Sequence, residues 1–133
     1  RGDMWEGQIG NWTKSGPSSL QRIIVASYGQ GDRPLFSVNN MALGTASADN
    51  IIFSGLNFYN PNWESEDQIS GIASTSSVGR RNQLFEDCVL KGLRNVIHSY
   101  GTGLYEGIAL RRNHFLEGPG NQRAEFRVYL NPS

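Results

Sequence analysis

The sequence lacks an excess of charge of either sign. Its 133 residues include 12 basic and 12 acidic side chains, so the formal net charge at pH 7 is zero. Proteins that bind nucleic acid usually carry a clustered basic surface, and this balance gives no support for a nucleic-acid partner. A neutral total is still compatible with a local charged patch, so an anionic polymer stays open as a partner.

Long hydrophobic runs and helical periodicity are also missing. No stretch approaches the roughly 18 consecutive apolar residues of a membrane-spanning helix, so we expect no membrane span. The nearest helix candidate, residues 83–97, contains Gly92 and fits the alternation of a strand better. The 16 glycines and many Asn, Ser and Asp residues also disfavour helices. The chain is therefore predicted to be all-β, with residues 1–133 forming one domain.

Cysteine and histidine are scarce. The single Cys88 cannot form an internal disulfide, and we expect it to be a small buried hydrophobic residue. His98 and His114 have no third ligand at a metal-binding spacing, so a histidine metal site is not expected.

What the sequence does contain is a strand pattern that occurs three times, at 50–58, 82–90 and 107–115. Phe53 and Phe85 are 32 residues apart, and Leu110 follows 25 residues later. A strand pattern that recurs at this spacing is typical of stacked β-repeats. Side chains of each strand should alternate between core and solvent, with a bend near Gly55, Asp87 and Arg112. The predicted inward columns are Ile51/Gln83/Ile108, Phe53/Phe85/Leu110, Leu56/Cys88/Asn113 and Phe58/Leu90/Phe115.

An earlier segment, Ile23–Tyr28, adds a fourth repeat, with Ile23, Val25 and Tyr28 in the same inward columns. The inward amides of Gln83 and Asn113 are expected to hydrogen-bond to backbone groups of the neighbouring turn. Further apolar runs are interpreted as the remaining strands of successive turns, at 35–38, 69–72, 95–98 and 126–129. Loops are predicted at 60–67 and 117–122.

The stretches Asn50–Asn60 and Asn82–Leu90 resemble the right-handed parallel β-helix of the pectate-lyase-like superfamily, in which a Cys or Asn occupies an inward bend position. The stretch Ile23–Pro34 is similar to the first coils of secreted, polysaccharide-active members. The resemblance implies a right-handed parallel β-helix of about four or five coils and a secreted or cell-surface location. The chain opens at Arg1 and lacks an amphipathic cap helix, so we expect a partial chain or ends covered by another subunit.

The resemblance leaves two classes of function open. The first is recognition of an extracellular polysaccharide, with eliminative cleavage of a uronate-containing polymer if the protein is a lyase. The second is a non-catalytic structural or adhesive β-solenoid that stacks end to end into a homo-oligomer or filament, or a trimeric module of the phage-tailspike type. A lyase requires acids and a base that converge in a groove, whereas a scaffold requires only neutral ladders.

The outward residues next to the bend are the first candidate site. Neighbouring strands lie about 4.8 Å apart, so Glu86 should meet Arg111 and Asp87 should meet Arg112. As surface ion pairs they would contribute roughly 0–1 kcal/mol each. In a lyase, Arg111 or Arg112 could serve as the base or as the cation that neutralises the uronate carboxylate, and the two acids could offer oxygen ligands to Ca²⁺. Only two acids converge, so we predict no metal site and no required cofactor.

Aromatic residues are the second candidate. Trp63, flanked by Tyr59 and Glu64, could stack on the apolar face of a pyranose ring, and Trp5 and Trp12 could act similarly. The alternative is that these rings pack a loop against the repeats. The predicted substrate-binding residues are Trp63, Tyr59, Glu86 and Arg111.

Overall fold

Thirteen short strands and no α-helix make up the part of the chain that the computed structural model describes. That part comprises residues 2–39, 42–44, 48–63, 70–74, 80–93, 95–99, 105–116 and 128–130. The strands are β1 (Met4–Glu6), β2 (Ile23–Ala26), β3 (Leu35–Ser37), β4 (Leu43–Gly44), β5 (Ile51–Ser54), β6 (Asn57–Tyr59), β7 (Ser70–Ser74), β8 (Arg80–Glu86), β9 (Val89–Lys91), β10 (Asn95–Ser99), β11 (Tyr105–Arg111), β12 (His114–Leu116) and β13 (Val128–Leu130). The prediction of an all-β chain is confirmed.

The strands form three sheets, and every pair of neighbouring strands is parallel. Sheet I has the order β2-β5-β8-β11, sheet II has β1-β3-β6-β9-β12, and sheet III has β4-β7-β10-β13. From β2 onward the chain visits sheets I, II and III in that order, four times in succession. We refer to one such set of three strands as a repeat.

The inward columns of sheets I and II follow the predicted register. Phe53 is aligned with Val25 on one side and Phe85 on the other, and Phe85 is aligned with Leu110. In sheet II, Leu90 is aligned with both Phe58 and Phe115. The rings of Phe53 and Phe85 are stacked, with centroids 5.4 Å apart and planes inclined by 6°. The core therefore consists of identical positions of successive repeats packed on one another.

Inward polar residues are hydrogen-bonded, as predicted. The Gln83 amide nitrogen donates to the Ala48 carbonyl at 2.7 Å. The Asn113 side chain accepts from the Cys88 backbone N–H at 2.9 Å and donates to the Phe85 carbonyl at 3.0 Å. Each amide thus links its strand to the preceding repeat, and its burial is compensated by these bonds.

Asparagines form a ladder at the corner that leads into sheet I. Asn50 and Asn82 both have φ of 53°, and the Asn82 amide donates to the Asn50 side-chain oxygen at 2.9 Å. Asn50 in turn donates to the Gly16 carbonyl at 3.0 Å. The fourth repeat places Gly107 here, with φ of 64°, and an added Cβ would lie 3.1 Å from the Asn82 oxygen. The ladder therefore ends at Gly107.

One prediction for the first repeat is wrong. Tyr28 is not inward, because its side chain is 87% exposed. The chain continues through residues 28–33 before it enters sheet II, and the buried Pro34 accepts the hydrogen bond from Asn57. The run 35–38 contains a strand, as predicted, and this strand, β3, pairs with β6 in sheet II. The strand of sheet III in this repeat is β4.

Candidate functional site

The corner between sheets I and II carries the first group of predicted site residues. Gly55, Asp87 and Arg112 occupy this corner in successive repeats, with φ of 69°, 53° and 52°. The Gly55 N–H donates to the Glu86 carbonyl, and the Asp87 N–H donates to the Arg111 carbonyl, both at 3.0 Å. This left-handed conformation ends the strands of sheet I and makes the predicted bend.

Ion pairs join the outward side chains at this corner, as the sequence predicted. Arg112 contacts Asp87 through two parallel bonds of 2.8 Å, from Nε to Oδ1 and from a terminal nitrogen to Oδ2. The same terminal nitrogen lies 3.2 Å from the Glu86 carboxylate. Arg111 donates to Glu86 through Nε and a terminal nitrogen. The contact between Arg112 and Glu86 was not predicted, and it joins the two pairs into one four-residue network, which we call the corner cluster.

The network exposes cations more than anions. The side chains of Arg111 and Arg112 are 58% and 57% exposed, whereas Glu86 is 15% exposed. The hydrogen bond from Arg112 lowers the pKa of the Asp87 carboxyl, and the charges of Arg33 and Arg111 act in the same direction. The bond to Asp87 also raises the pKa of Arg112. Arg112 therefore stays protonated, which suits it to neutralise an anion and not to abstract a proton.

Asp87→Asn is expected to flatten the acid limb of the stability curve. The folded-state pKa of Asp87 is lowered, so its ion pair stabilises the protein above the ordinary pKa of 3.8 and is lost as pH falls through the folded value. Asparagine tolerates the positive φ of this position and removes only the charge. Urea unfolding at several pH values below 5 should show a steeper loss of stability in the wild type than in the variant. In an Arg112→Asn background the Asp87→Asn difference should disappear, and parallel wild-type and variant curves would contradict the assigned pair.

Tyr59 and Trp63 form a second group, at and just after the carboxyl end of strand β6 in sheet II, and we call this group the aromatic end. The Lys91 ammonium lies 5.2 Å from the centroid of the Tyr59 ring, since these residues are aligned in β6 and β9. Trp63 is half-buried, and an added Cβ on Gly92 would lie only 2.6 Å from the Trp63 Cβ. Trp63 thus packs directly against the Gly92 backbone. The predicted site residues therefore lie in two separate places, the corner cluster and the aromatic end. Glu64, the acidic neighbour of Trp63, lies outside the described residues.

The other two tryptophans also pack against the repeats. Trp12 approaches Phe53 edge-on at 5.8 Å, and Trp5 stacks on Phe36 at 5.2 Å. Trp5 keeps 46% of its surface exposed. Of these two rings, Trp5 therefore has the larger face available to a ligand.

Metal ligands do not converge in the described parts of the chain, where no group of three or more His, Cys, Asp or Glu side chains occurs. Both carboxylates that the sequence offered to Ca²⁺ contact arginines instead. His114 is exposed, whereas the side chain of His98 is not among those described. Cys88 is buried, as predicted, and burial raises the pKa of its thiol, so the sulfur stays protonated. Among the described residues no helix is long and apolar enough to cross a membrane.

Two residues of these groups were not identified from the sequence. Lys91 could have been found, because the alignment of Phe58 with Leu90 also aligns Tyr59 with Lys91. Arg33, whose charge acts on Asp87, lies in the segment that departs from the repeat, so column alignment gave no signal for it. Comparison of the chain with protein-family models, with curated proteins and with solved structures found no match.

Proposed function

We propose that the three sheets are the faces of one right-handed parallel β-helix, and that this solenoid recognises an acidic extracellular polysaccharide. The solenoid is supported by the fourfold succession of sheets I, II and III and by the all-parallel pairing. It is also supported by the inward columns, which stack the same positions of successive repeats. A secreted or cell-surface location is part of the same proposal, because its ligand is an extracellular polymer.

The backbone of Arg112 is the observation that carries the proposal. Its φ of 52° places a long side chain in the left-handed region, which costs roughly 1–2 kcal/mol for most residue types. The two preceding repeats place Gly55 and Asp87 here, and these residue types tolerate that region. Strained backbone of this kind is typical of functional sites. The left-handed backbone places the Arg112 side chain at the corner, where its two bonds to Asp87 fix the orientation of the guanidinium.

The fixed guanidinium groups can accept a uronate carboxylate. Arg111 and Arg112 each use Nε and one terminal nitrogen in the corner cluster. A guanidinium carries five N–H donors, so the second terminal nitrogen of each arginine can donate to a ligand. Charge-assisted bonds of this type are about twice as strong as neutral ones. A polymer that runs from this corner along sheet II would next meet the aromatic end at Tyr59 and Trp63, where a sugar ring can stack.

Loss of both arginines should weaken polyuronate binding. In Arg111→Ala/Arg112→Asn the corner loses its exposed cations, and Asn keeps the positive φ accessible. Hydrogen bonds to charged groups contribute about 1.5–3 kcal/mol, so we expect the Kd for polygalacturonate or alginate to rise at least about tenfold. Titration calorimetry would measure it, with neutral dextran as the negative ligand. Wild-type binding should weaken as salt is raised.

Arg81→Ala is the matched control, because Arg81 is also an exposed arginine in an ion pair, 3.1 Å from Glu106 on sheet I. It should bind like the wild type. An equal loss in Arg81→Ala, or no binding of any polyuronate or glycosaminoglycan by the wild type, would reject the proposal. The same mixtures, with and without Ca²⁺, should be followed at the absorbance band of unsaturated products. A rise that Arg111→Ala abolishes would extend the proposal from recognition to eliminative cleavage.

A further inference from the structure

An apolar groove lies at the end of the repeats that is formed by β1 and β2. One wall is residues 5–9, the other is residues 25–28, and the floor includes Pro34, Phe36 and Leu56. The volume of this open groove is about 400 Å³. We call this the β2 groove. It shares no residue with the corner cluster or the aromatic end, so a ligand bound in it is independent of the proposed polysaccharide site.

The groove lies beside β2, where sheet I is one strand shorter than sheet II among the described residues. In sheet II, β1 lies one strand beyond β3, whereas within the described residues sheet I has no strand beyond β2. Neighbouring strands are about 4.8 Å apart, so the step between the two sheets is the thickness of one strand. Trp5 of β1 stacks on Phe36 and forms the side of this step.

The edge of β2 presents backbone hydrogen-bonding groups to the groove. Ile23 and Ser27 donate their N–H groups to Asn50 and Ser54 on the opposite side, at 3.0 and 3.1 Å. Backbone groups of alternate residues in a parallel strand point to opposite edges. The N–H and C=O groups of Ile24 and Ala26 are therefore directed to the groove. An edge strand of this kind is a template for another strand, and the addition of a peptide strand is an established mode of recognition.

We propose that the β2 groove binds one extended peptide strand, parallel to β2, whose alternate apolar side chains pack on the groove floor between Trp5 and Val25. The direction follows from the sheet, in which every pairing is parallel. The register follows from the core, since inward residues of sheet I continue the column of Ile23 and Val25. The chemistry of the peptide is that of sheet I strands, so the chain's own segment Asp49–Gly55 is a suitable probe.

N-methylated peptides test the pairing directly. A labelled peptide with the sequence of Asp49–Gly55, extended by lysines for solubility, should bind saturably in an anisotropy titration. In sheet I the inward residues direct their backbone groups to the following repeat, as the bonds from Ile23 and Ser27 show. Methylation of the peptide nitrogens of Ile51 and Phe53 should therefore weaken binding at least tenfold. Methylation at Ile52 and Ser54 should leave it unchanged.

Ala26→Pro tests the same edge from the protein side. Proline at this position removes the N–H that faces the groove and keeps the β2–β5 hydrogen bonds, so binding should fall at least tenfold while circular dichroism stays unchanged. Equal weakening by both methylated peptides would overturn the proposal, as would the absence of saturable binding. So would displacement of the peptide by neutral oligosaccharides. Concentration-dependent dimers that Ala26→Pro abolishes would also overturn it, because the occupant of the groove would then be a second copy of this chain.

Discussion

Phe53→Ala is expected to lower the free energy of unfolding by about 3–5 kcal/mol, which is the usual range for removing a buried aromatic ring. Phe53 has no exposed surface, stacks on Phe85 and is contacted edge-on by Trp12. Its neighbours belong to different repeats and are held by their own strands, so they cannot close the cavity. Because domains of this size have a total stability of about 5–15 kcal/mol, the loss would be a large part of the whole. Urea unfolding followed by tryptophan fluorescence would measure it.

The control is Ile24→Ala, on the strand that pairs with β5. Ile24 is 66% exposed, and its truncation should change stability by less than about 0.5 kcal/mol. A similar small change for Phe53→Ala would contradict a continuous core through the repeats.

Gly92→Ala should be the second most damaging of these substitutions, at about 2–5 kcal/mol. Gly92 has φ of 72°, a conformation that costs alanine about 1–2 kcal/mol. In addition, the new Cβ would lie 2.6 Å from the Trp63 Cβ and 3.1 Å from the Asn60 carbonyl oxygen. Overpacking of this kind typically adds about 1–3 kcal/mol. Urea unfolding would measure the total, and near-ultraviolet circular dichroism would report displacement of the indole.

Gly29→Ala separates the cost of the positive φ from the cost of overpacking against Trp63. Gly29 has φ of 82°, but an added Cβ there would meet nothing within 4 Å. It should therefore show only the backbone penalty, and the difference between the two variants is the packing of Trp63. In a Trp63→Gly background, Gly92→Ala should approach the value for Gly29→Ala. If Gly92→Ala and Gly29→Ala are equal in the wild-type background, Trp63 does not pack on Gly92.

The inward columns could be predicted because every repeat needs a side chain of similar size and polarity at the same inward position. Phe53, Phe85 and Leu110 are all large and apolar, since each must fill the same position between its neighbours. The polar members of these columns were also predictable, because Gln83 and Asn113 carry both a donor and an acceptor for backbone groups. Both residues fit inward positions because their side-chain amides form hydrogen bonds with backbone groups there.

The errors fall where the chain departs from the repeat. Counting residues aligns Tyr28 with the inward column, but the segment 28–33 is an insertion, and Pro34 resumes the pattern. The burial of Arg80, the largest fully buried side chain among the described residues, was also missed. An arginine is normally expected on the surface, and no periodic signal distinguishes one that begins a buried strand.

The candidate site was only partly predictable for a related reason. Glu86, Asp87, Arg111 and Arg112 lie in regular columns, so the two contacts between aligned residues followed from strand spacing, whereas the diagonal contact of Arg112 with Glu86 did not. The bend that Arg112 shares with Gly55 and Asp87 was predicted, but its positive φ was not. Trp63 lies beyond the end of β6, where no column fixes it, and its contact with Gly92 depends on how the chain turns at Asn60. The β2 groove could not be predicted, because it arises from a step between two sheets and not from any residue pattern.

The asparagine ladder has a consequence for how such a chain can change in length. Asn50 and Asn82 are 32 residues apart and have the same φ, and each donates its amide toward the preceding repeat. The two ends of the segment 50–81 therefore lie at equivalent positions of successive repeats. Tandem duplication of that segment would pair β5 with a second β5, and its excision would pair β2 with β8, in each case in the register that sheet I already uses. Gene-level variation could thus alter the number of repeats while all four residues of the corner cluster, which lie in the later repeats, are retained.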